Sequence, residues 1–333
     1  VERKEQTLLN IVDALTAGFN TITRRLWLIL IPVALDVYLW LGPKMSIVRL
    51  VRRLEPLLTP QATMNLSTSD AYNLTMSREA FVEMGEGFNL FSLLSSTFLG
   101  VPNLMIVGPQ GLNPNQPTIE VANGWIGLGL VVAFVLISVV IACFYLEMIA
   151  QVVRDGKVNL ENMPRRVLSV SGRIVALGII LLLIMLVLIL PISIFLTLVA
   201  FVSQGFAIML LGAFSLIAFW GSIIAMVYLF YTVDDLLINE NGLLQSVWNS
   251  MIMVRRNLWP TLGLILLTNV LSAGLMLIWQ RLVFSSWGMV IAILGNAFVG
   301  SGLVAAVMVF YMDRYRKWQE ELSNISQTVS ENP

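Results

Sequence analysis

"TRRLWLIL", Thr23 to Leu30, and "VRRNLWPTLGLIL", Val254 to Leu266, place an arginine pair before a Trp-containing apolar run twice in one chain. Apolar residues recur at helical spacing before each pair. Leu8, Ile11, Val12, Leu15, Phe19 and Ile22 precede the first; Leu243, Leu244, Val247, Trp248, Met251 and Ile252 precede the second. Each stretch reads as an amphipathic helix on the cytoplasmic membrane surface that turns through basic residues into a span. The arginines mark the inner leaflet and are not an anion site. A weaker third copy is "NMPRRVLSVSGRIVALGII", in which Pro164 opens a short helix and Arg173 precedes the next apolar run. Arg24, Arg25, Trp27, Arg173, Arg255, Arg256 and Trp259 are the expected interfacial anchors.

Composition sets the class. Hydrophobic residues make up 57% of 333 and charged residues 12%, which places the chain among integral membrane proteins. Lys plus Arg and Asp plus Glu both number 20, so no basic field argues for a nucleic-acid partner. The chain has no His and a single Cys, Cys143, in an apolar run where a lone thiol acts as a small hydrophobe. Transition-metal sites, His-ligated haem, Fe–S clusters and Ser-His-Asp or Cys-His catalysis all lose their usual side chains. The expectation is therefore a protein that is not an enzyme, with no catalytic residue, cofactor or metal.

A span needs about 20 mostly apolar residues. Six segments qualify: Leu26 to Leu41 (short), Trp125 to Leu146, Ile174 to Val202, Phe206 to Tyr231, Leu258 to Trp279, and Trp287 to Met312. Pro191 should kink the third, whereas Pro260 sits in the first turn of the fifth at little cost. The first run has no small-residue cleavage pattern after it and reads as a retained anchor, not a signal peptide. With six spans, 14 of the 20 basic residues fall on one side, which predicts that both termini are cytoplasmic.

The segment "FNLFSLLSSTFLGVPNLMIV", residues 88–107, tests that count. A seventh span here would carry the basic residues from Arg154 to Arg173 to the other side and collapse the charge bias. Its Asn, Ser, Gly and Pro content suits a segment lying at the interface or tucked back against the bundle. The layout is thus an amphipathic helix and span one over 1–42, a non-cytoplasmic insertion over 43–122, a five-span bundle over 123–312 and a cytoplasmic tail over 313–333. Within the insertion, "SIVRLVRRLEPLL" puts Ile47, Leu50, Val51 and Leu54 on one helical face, as expected of a helix on the outer leaflet or, alternatively, one that binds a partner. Asn65 and Asn73 lie in "NLS" and "NLT", tripeptides that carry meaning only in a secretory-pathway host.

The even-numbered spans end alike: "FYLE" at Phe144 to Glu147, "VYLF" at Val227 to Phe230 and "FYMD" at Phe310 to Asp313, with tyrosines suited to an interfacial belt. The repeating unit is a cytoplasmic amphipathic helix, a span out and a span back, three times over. The fold class is accordingly an all-α integral membrane protein of six transmembrane helices arranged as three helical hairpins.

The segment "LLINENGLLQSVWNSMIMVRRNLWPTLGLILL", Leu236 to Leu267, resembles the membrane domain attached to some bacterial glycerophosphodiester phosphodiesterases and related multi-span domains of unknown function. The matching positions are Glu240, Asn241, Ser246 or Ser250, Asn257 and Trp259. That family's catalytic domain, with its His and metal-binding carboxylates, has no counterpart here. The resemblance implies a membrane-resident architecture in a bacterial cytoplasmic membrane and no phosphodiesterase activity.

Few residues suggest chemistry inside the spans. Asp36 is the one acid well within a span; it marks a polar site or reaches the outer interface, or pairs with Lys44 or Arg281. Asn269 and Asn296 lie near the middle of spans five and six, where interhelical hydrogen bonding or a substrate path would use them. Ala297, Ser301 and Ala305 form a small-residue stripe, as do Gly221 and Ala225 in span four. The set Asp36, Asn269, Asn296 and Ser301 is the candidate intramembrane polar or packing site. Two functions follow as expectations. One is a non-catalytic scaffold or accessory subunit of a larger membrane complex, energy-transducing complexes included, whose partners are membrane lipids and other membrane subunits. The other is a permease or lipid-handling protein.

Overall fold

The computed structural model describes residues 8–58, 76, 79, 80, 82, 83, 85, 87–95, 99–105 and 116–331. The protein is an all-α membrane protein: five helices are long and apolar enough to cross a bilayer, and Leu26–Leu41 is a shorter apolar stretch. In chain order the elements are α1 (Ile11–Thr23), a 3-10 turn (Leu26–Ile29), α2 (Leu30–Leu41), β1 (Lys44–Ser46), α3 (Val48–Leu58), a second 3-10 turn (Leu90–Leu94), β2 (Thr118–Glu120), α4 (Gly124–Asp155), α5 (Met163–Val202), α6 (Gln204–Tyr228), α7 (Thr232–Ile238), α8 (Leu243–Arg256), α9 (Leu258–Leu282) and α10 (Ser286–Glu331). Asn123 caps α4 by accepting from the Trp125 amide at 2.9 Å, and Gly156 ends it in a left-handed conformation, φ +70°.

One expectation changes. The basic segment from Met163 is not a separate surface helix: it runs without a break into the span as one 40-residue helix, with Pro164 in its first turn. Gly172 and Gly178 are its only glycines before Pro191 and no proline lies between Pro164 and Pro191, so no helix-breaking residue stands where the apolar run begins. Residues 313–331, the described part of the tail, continue α10, which is 46 residues long. At 1.5 Å per residue α5 and α10 measure about 60 and 70 Å, twice the hydrocarbon thickness.

The chain divides into two compact units. The first comprises Val1–Thr21, Leu146–Asn269 and Leu303–Pro333. It contains α5 to α8, most of α1 and parts of α4, α9 and α10. Here α1 lies on α10 where Gly18 meets the backbone and Cβ of Ala306; a side chain at position 18 would collide with that backbone. The buried residues Ala14, Gly18 and Ile22 of α1 and Ser246, Ser250 and Val254 of α8 share the same four-residue spacing.

The second unit comprises Ile22–Tyr145 and Val270–Gly302. Its core is Leu104, Val283, Met289, Ala292 and Ile293, with Val33, Trp40 and Trp279 packed against it. β1 and β2 pair in parallel, Lys44 with Thr118 through Ser46 with Glu120, and Asn89 bridges to Ser46. The described part of 88–107 holds one 3-10 turn and an irregular stretch, with no long helix. In α3, Val51 is buried, while Arg49 pairs with Glu120 and Arg53 donates to the Ala122 carbonyl at 2.7 Å. This helix is thus fastened to its own chain through two of its arginines. Asn65, Asn73 and the Leu54 side chain lie outside the described residues.

Candidate functional site

The four residues of the expected intramembrane set differ in burial and bonding. Asp36 is fully buried in α2 and accepts from the Leu104 amide at 2.9 and 3.1 Å and from the Met105 amide at 3.1 Å. Its partners are backbone N–H groups 68 and 69 residues away and not Lys44 or Arg281, which corrects that pairing. Gln116 donates to the Leu39 and Trp40 carbonyls at 3.1 and 2.7 Å, satisfying orphan groups at the end of α2. Asp36 is therefore a fastener that pins the 99–105 stretch to α2.

Asn269 is exposed and donates to the Ile265 carbonyl of its own helix at 2.7 Å, and it makes no interhelical bond among the described residues. The Asn296 side-chain amide nitrogen is buried without a hydrogen-bond partner among the described residues. Ser301 is fully buried and bonds the Tyr145 hydroxyl at 2.8 Å. The stripe Ala297, Ser301 and Ala305 is covered as expected, whereas Gly221 and Ala225 stand open on α6.

The densest polar cluster lies in the first unit. Asp235 in α7 is fully buried. It accepts from the Tyr311 hydroxyl at 2.5 Å, from Asn239 at 2.6 Å, from Asn241 at 3.1 Å and from Asn249 at 3.2 Å. A buried carboxylate costs several kcal/mol unless its lone pairs are satisfied, and these four donors supply that satisfaction without a countercharge. Around them, Glu147 is 1% exposed and takes Arg166 at 3.1 Å and Gln151 at 2.9 Å. Arg166 also reaches Glu240 at 2.7 Å, and Arg154 bonds the Ile238 carbonyl at 3.0 Å. Arg173 donates to the carbonyls of Glu240 and Asn241 at 3.2 and 2.6 Å. Glu240 itself sits at φ +57°, a region non-glycine residues rarely occupy. Three arginines bonded to its carboxylate and carbonyl hold it there.

A third acid follows the same rule. Asp313 accepts from the Leu9 amide at 3.0 Å, and Arg314 donates to the Leu9 carbonyl at 3.0 Å while lying 3.5 Å over the Phe310 ring. Three acids thus contact parts of the chain distant in sequence: Glu147, within α4, meets Arg166 in the first turns of α5; Asp235 in α7 meets Asn249 in the middle of α8; and Asp313 in α10 meets Leu9, just ahead of α1.

The tyrosines beside these acids are not an interfacial belt. Tyr145, Tyr231 and Tyr311 are at most 1% exposed, and the hydroxyl of each bonds a side chain of another helix: Ser301, Thr261 and Asp235. Tyr231, not Tyr228, occupies the buried position in the second case, so "FYTVDD" at Phe230 to Asp235 is the counterpart of "FYLE" and "FYMD". Ser250 bridges this turn, accepting from the Tyr231 amide at 3.1 Å and donating to the Tyr228 carbonyl at 2.7 Å.

Sequence reasoning missed Asp235 because an acid just past an apolar run reads as a solvated span end. The available signal was three asparagines, Asn239, Asn241 and Asn249, close behind two adjacent acids that are followed directly by Leu236 to Ile238.

Of the expected anchors, Trp27, Arg24, Arg255 and Trp259 are exposed, the last at 80%. Arg256 pairs with Glu321, and Arg173 is engaged by loop carbonyls. Asn257 closes α8, its side chain donating to the Met253 carbonyl at 3.2 Å. Among the described residues no group of three or more Cys, Asp or Glu is placed to hold a metal ion. No protein-family profile, curated protein or solved structure matches this chain.

Proposed function

We propose that this chain is a non-catalytic scaffold or accessory subunit of a larger membrane complex, built as three hairpin repeats over six spans with both termini cytoplasmic. The observation that carries the reading is the openness of the span faces. None of the most apolar 18-residue window of α5 is buried, against 6% for α6 with α7, 11% for α9 and 44% for α10. A permease encloses its path, so the middles of its spans cover one another. Along α5 and α6 this chain covers almost none of its own apolar surface, and the Gly221 and Ala225 stripe stands ready for a neighbouring helix.

The buried Tyr145, Tyr231 and Tyr311, each bonded to a side chain of another helix and each followed within four residues by an acid that meets a distant part of the chain, support the repeat, although the bonds differ in kind. The resemblance to the membrane domain of bacterial glycerophosphodiester phosphodiesterases supports a bacterial cytoplasmic membrane as the location. Its matched residues Glu240, Asn241 and Ser250 serve the polar framework, a structural duty that needs no catalytic domain. One observation favours the second reading, a permease or lipid-handling protein: the unpartnered Asn296 amide within a span.

Purification from native membranes in mild detergent tests the proposal. Defined membrane subunits in fixed ratio are the expected result, and a solitary monomer at every detergent level would overturn it.

A further inference from the structure

Beside the Asp235 framework, within the first unit, an open cleft of about 400 Å³ is lined by Arg154, Ile238, Asn239, Met312, Tyr315, Arg316, Gln319 and Glu320. Its charges are unequal in their freedom. Arg154 is occupied by Asp155, by Glu240 at 3.2 Å and by the Ile238 carbonyl at 3.0 Å. Arg316 and Glu320 face the same cleft from consecutive turns of α10, and neither has an ion-pair partner among the described residues, each other included.

From these observations we propose that the cleft binds a zwitterionic phosphodiester headgroup carrying a primary ammonium, of the phosphoethanolamine type. Arg316 takes the phosphate and Glu320 the ammonium. Residues four apart on a helix stand about 5–6 Å apart at Cβ, a separation suited to a phosphate and an ammonium joined by two carbons. A guanidinium offers phosphate paired N–H donors, and a carboxylate accepts the N–H bonds of a primary ammonium.

Tyr315 forms an aromatic wall, packed 5.7 Å from both Tyr311 and Trp318. Gln319 donates to its hydroxyl at 3.1 Å, which leaves the tyrosine proton for a ligand oxygen. Ile238 and Met312 supply apolar surface for the carbons that follow the headgroup. An anionic headgroup without an amine would meet Glu320 unpaired, and a choline group has no N–H to give it. The level of the cleft, where α10 leaves the apolar layer, rests on the six-span reading proposed above.

The test uses the full-length protein in detergent, loaded with an equal mixture of phosphatidylethanolamine, phosphatidylcholine and phosphatidylglycerol and read by native mass spectrometry. The wild type should retain phosphatidylethanolamine preferentially. Arg316→Ala and Glu320→Ala should each lower that preference about twofold to fivefold, as the loss of one exposed ionic contact does. The double exchange Arg316→Glu with Glu320→Arg should recover part of it, because both charges remain in the cleft. Lys317→Ala, outside the lining, should change nothing.

Free phosphoethanolamine that displaces the lipid at equal concentration assigns the site to the soluble ester, and failure to displace assigns it to the lipid. Both outcomes support recognition of the headgroup. Equal retention of the three lipids by the wild type, or a preference untouched by both single variants, would overturn the proposal. A protein that retains the ethanolamine lipid yet purifies alone would instead fail the scaffold reading and leave this one standing.

Discussion

Two buried carboxylates hold the chain together by accepting hydrogen bonds, not by pairing with cations. Asp36→Ala removes the acceptor for the Leu104 and Met105 amides and should cost about 2–3 kcal/mol, since both donors stay buried or half-buried. Hydrogen exchange at those two amides should quicken, and Asp36→Asn, which keeps one acceptor oxygen, should restore most of the protection. Asp235→Ala is the harsher change, stranding Tyr311, Asn239, Asn241 and Asn249 together. A loss of about 3–5 kcal/mol is expected, measurable as a lowered midpoint in denaturant titration. The acid in the first span was legible because a lone carboxylate stands out among apolar residues. Its partners were not, because backbone amides carry no signature in the sequence and these lie 68 residues away.

Among the elements, the amphipathic helices depend on small residues where they cross another helix. Gly18→Leu would drive a side chain into the backbone at Ala306, so α1 should detach at a cost of about 1–3 kcal/mol. Faster trypsin cleavage after Arg24 and Arg25 would report it. Gly221→Leu makes the contrasting case, because nothing lies within 4 Å of a Cβ placed there. It should leave the folded chain as stable as before and weaken co-purification of partners.

Helical spacing made α1 and α8 legible, and the arginine pairs located their ends. The continuity of α5 was not, since arginines and a proline near Met163 resemble the break seen at Arg25 and Asn257. What distinguishes them is local: Asn257 bonds back to the Met253 carbonyl and ends α8, and no such residue follows Arg173.

For the whole molecule, the apolar runs made the membrane class readable, and the one-sided arginines carry the proposed threading. The network that ties Glu147, Asp235 and Asp313 to distant parts of the chain was hidden, because it joins residues as far apart as Leu9 and Asp313. The threading itself is testable in a Cys143→Ala background. Lys157→Cys and Leu322→Cys should react with a membrane-impermeant thiol reagent only in inverted vesicles, and Thr118→Cys and Phe284→Cys only in intact cells. The claim that the open faces of α5 and α6 belong to a partner is tested most directly by photo-crosslinking in native membranes, with the probe placed at Leu188, Phe201 and Met209, all exposed. Discrete protein adducts of the same mass from neighbouring positions are the predicted result. Lipid adducts alone at all three would contradict it.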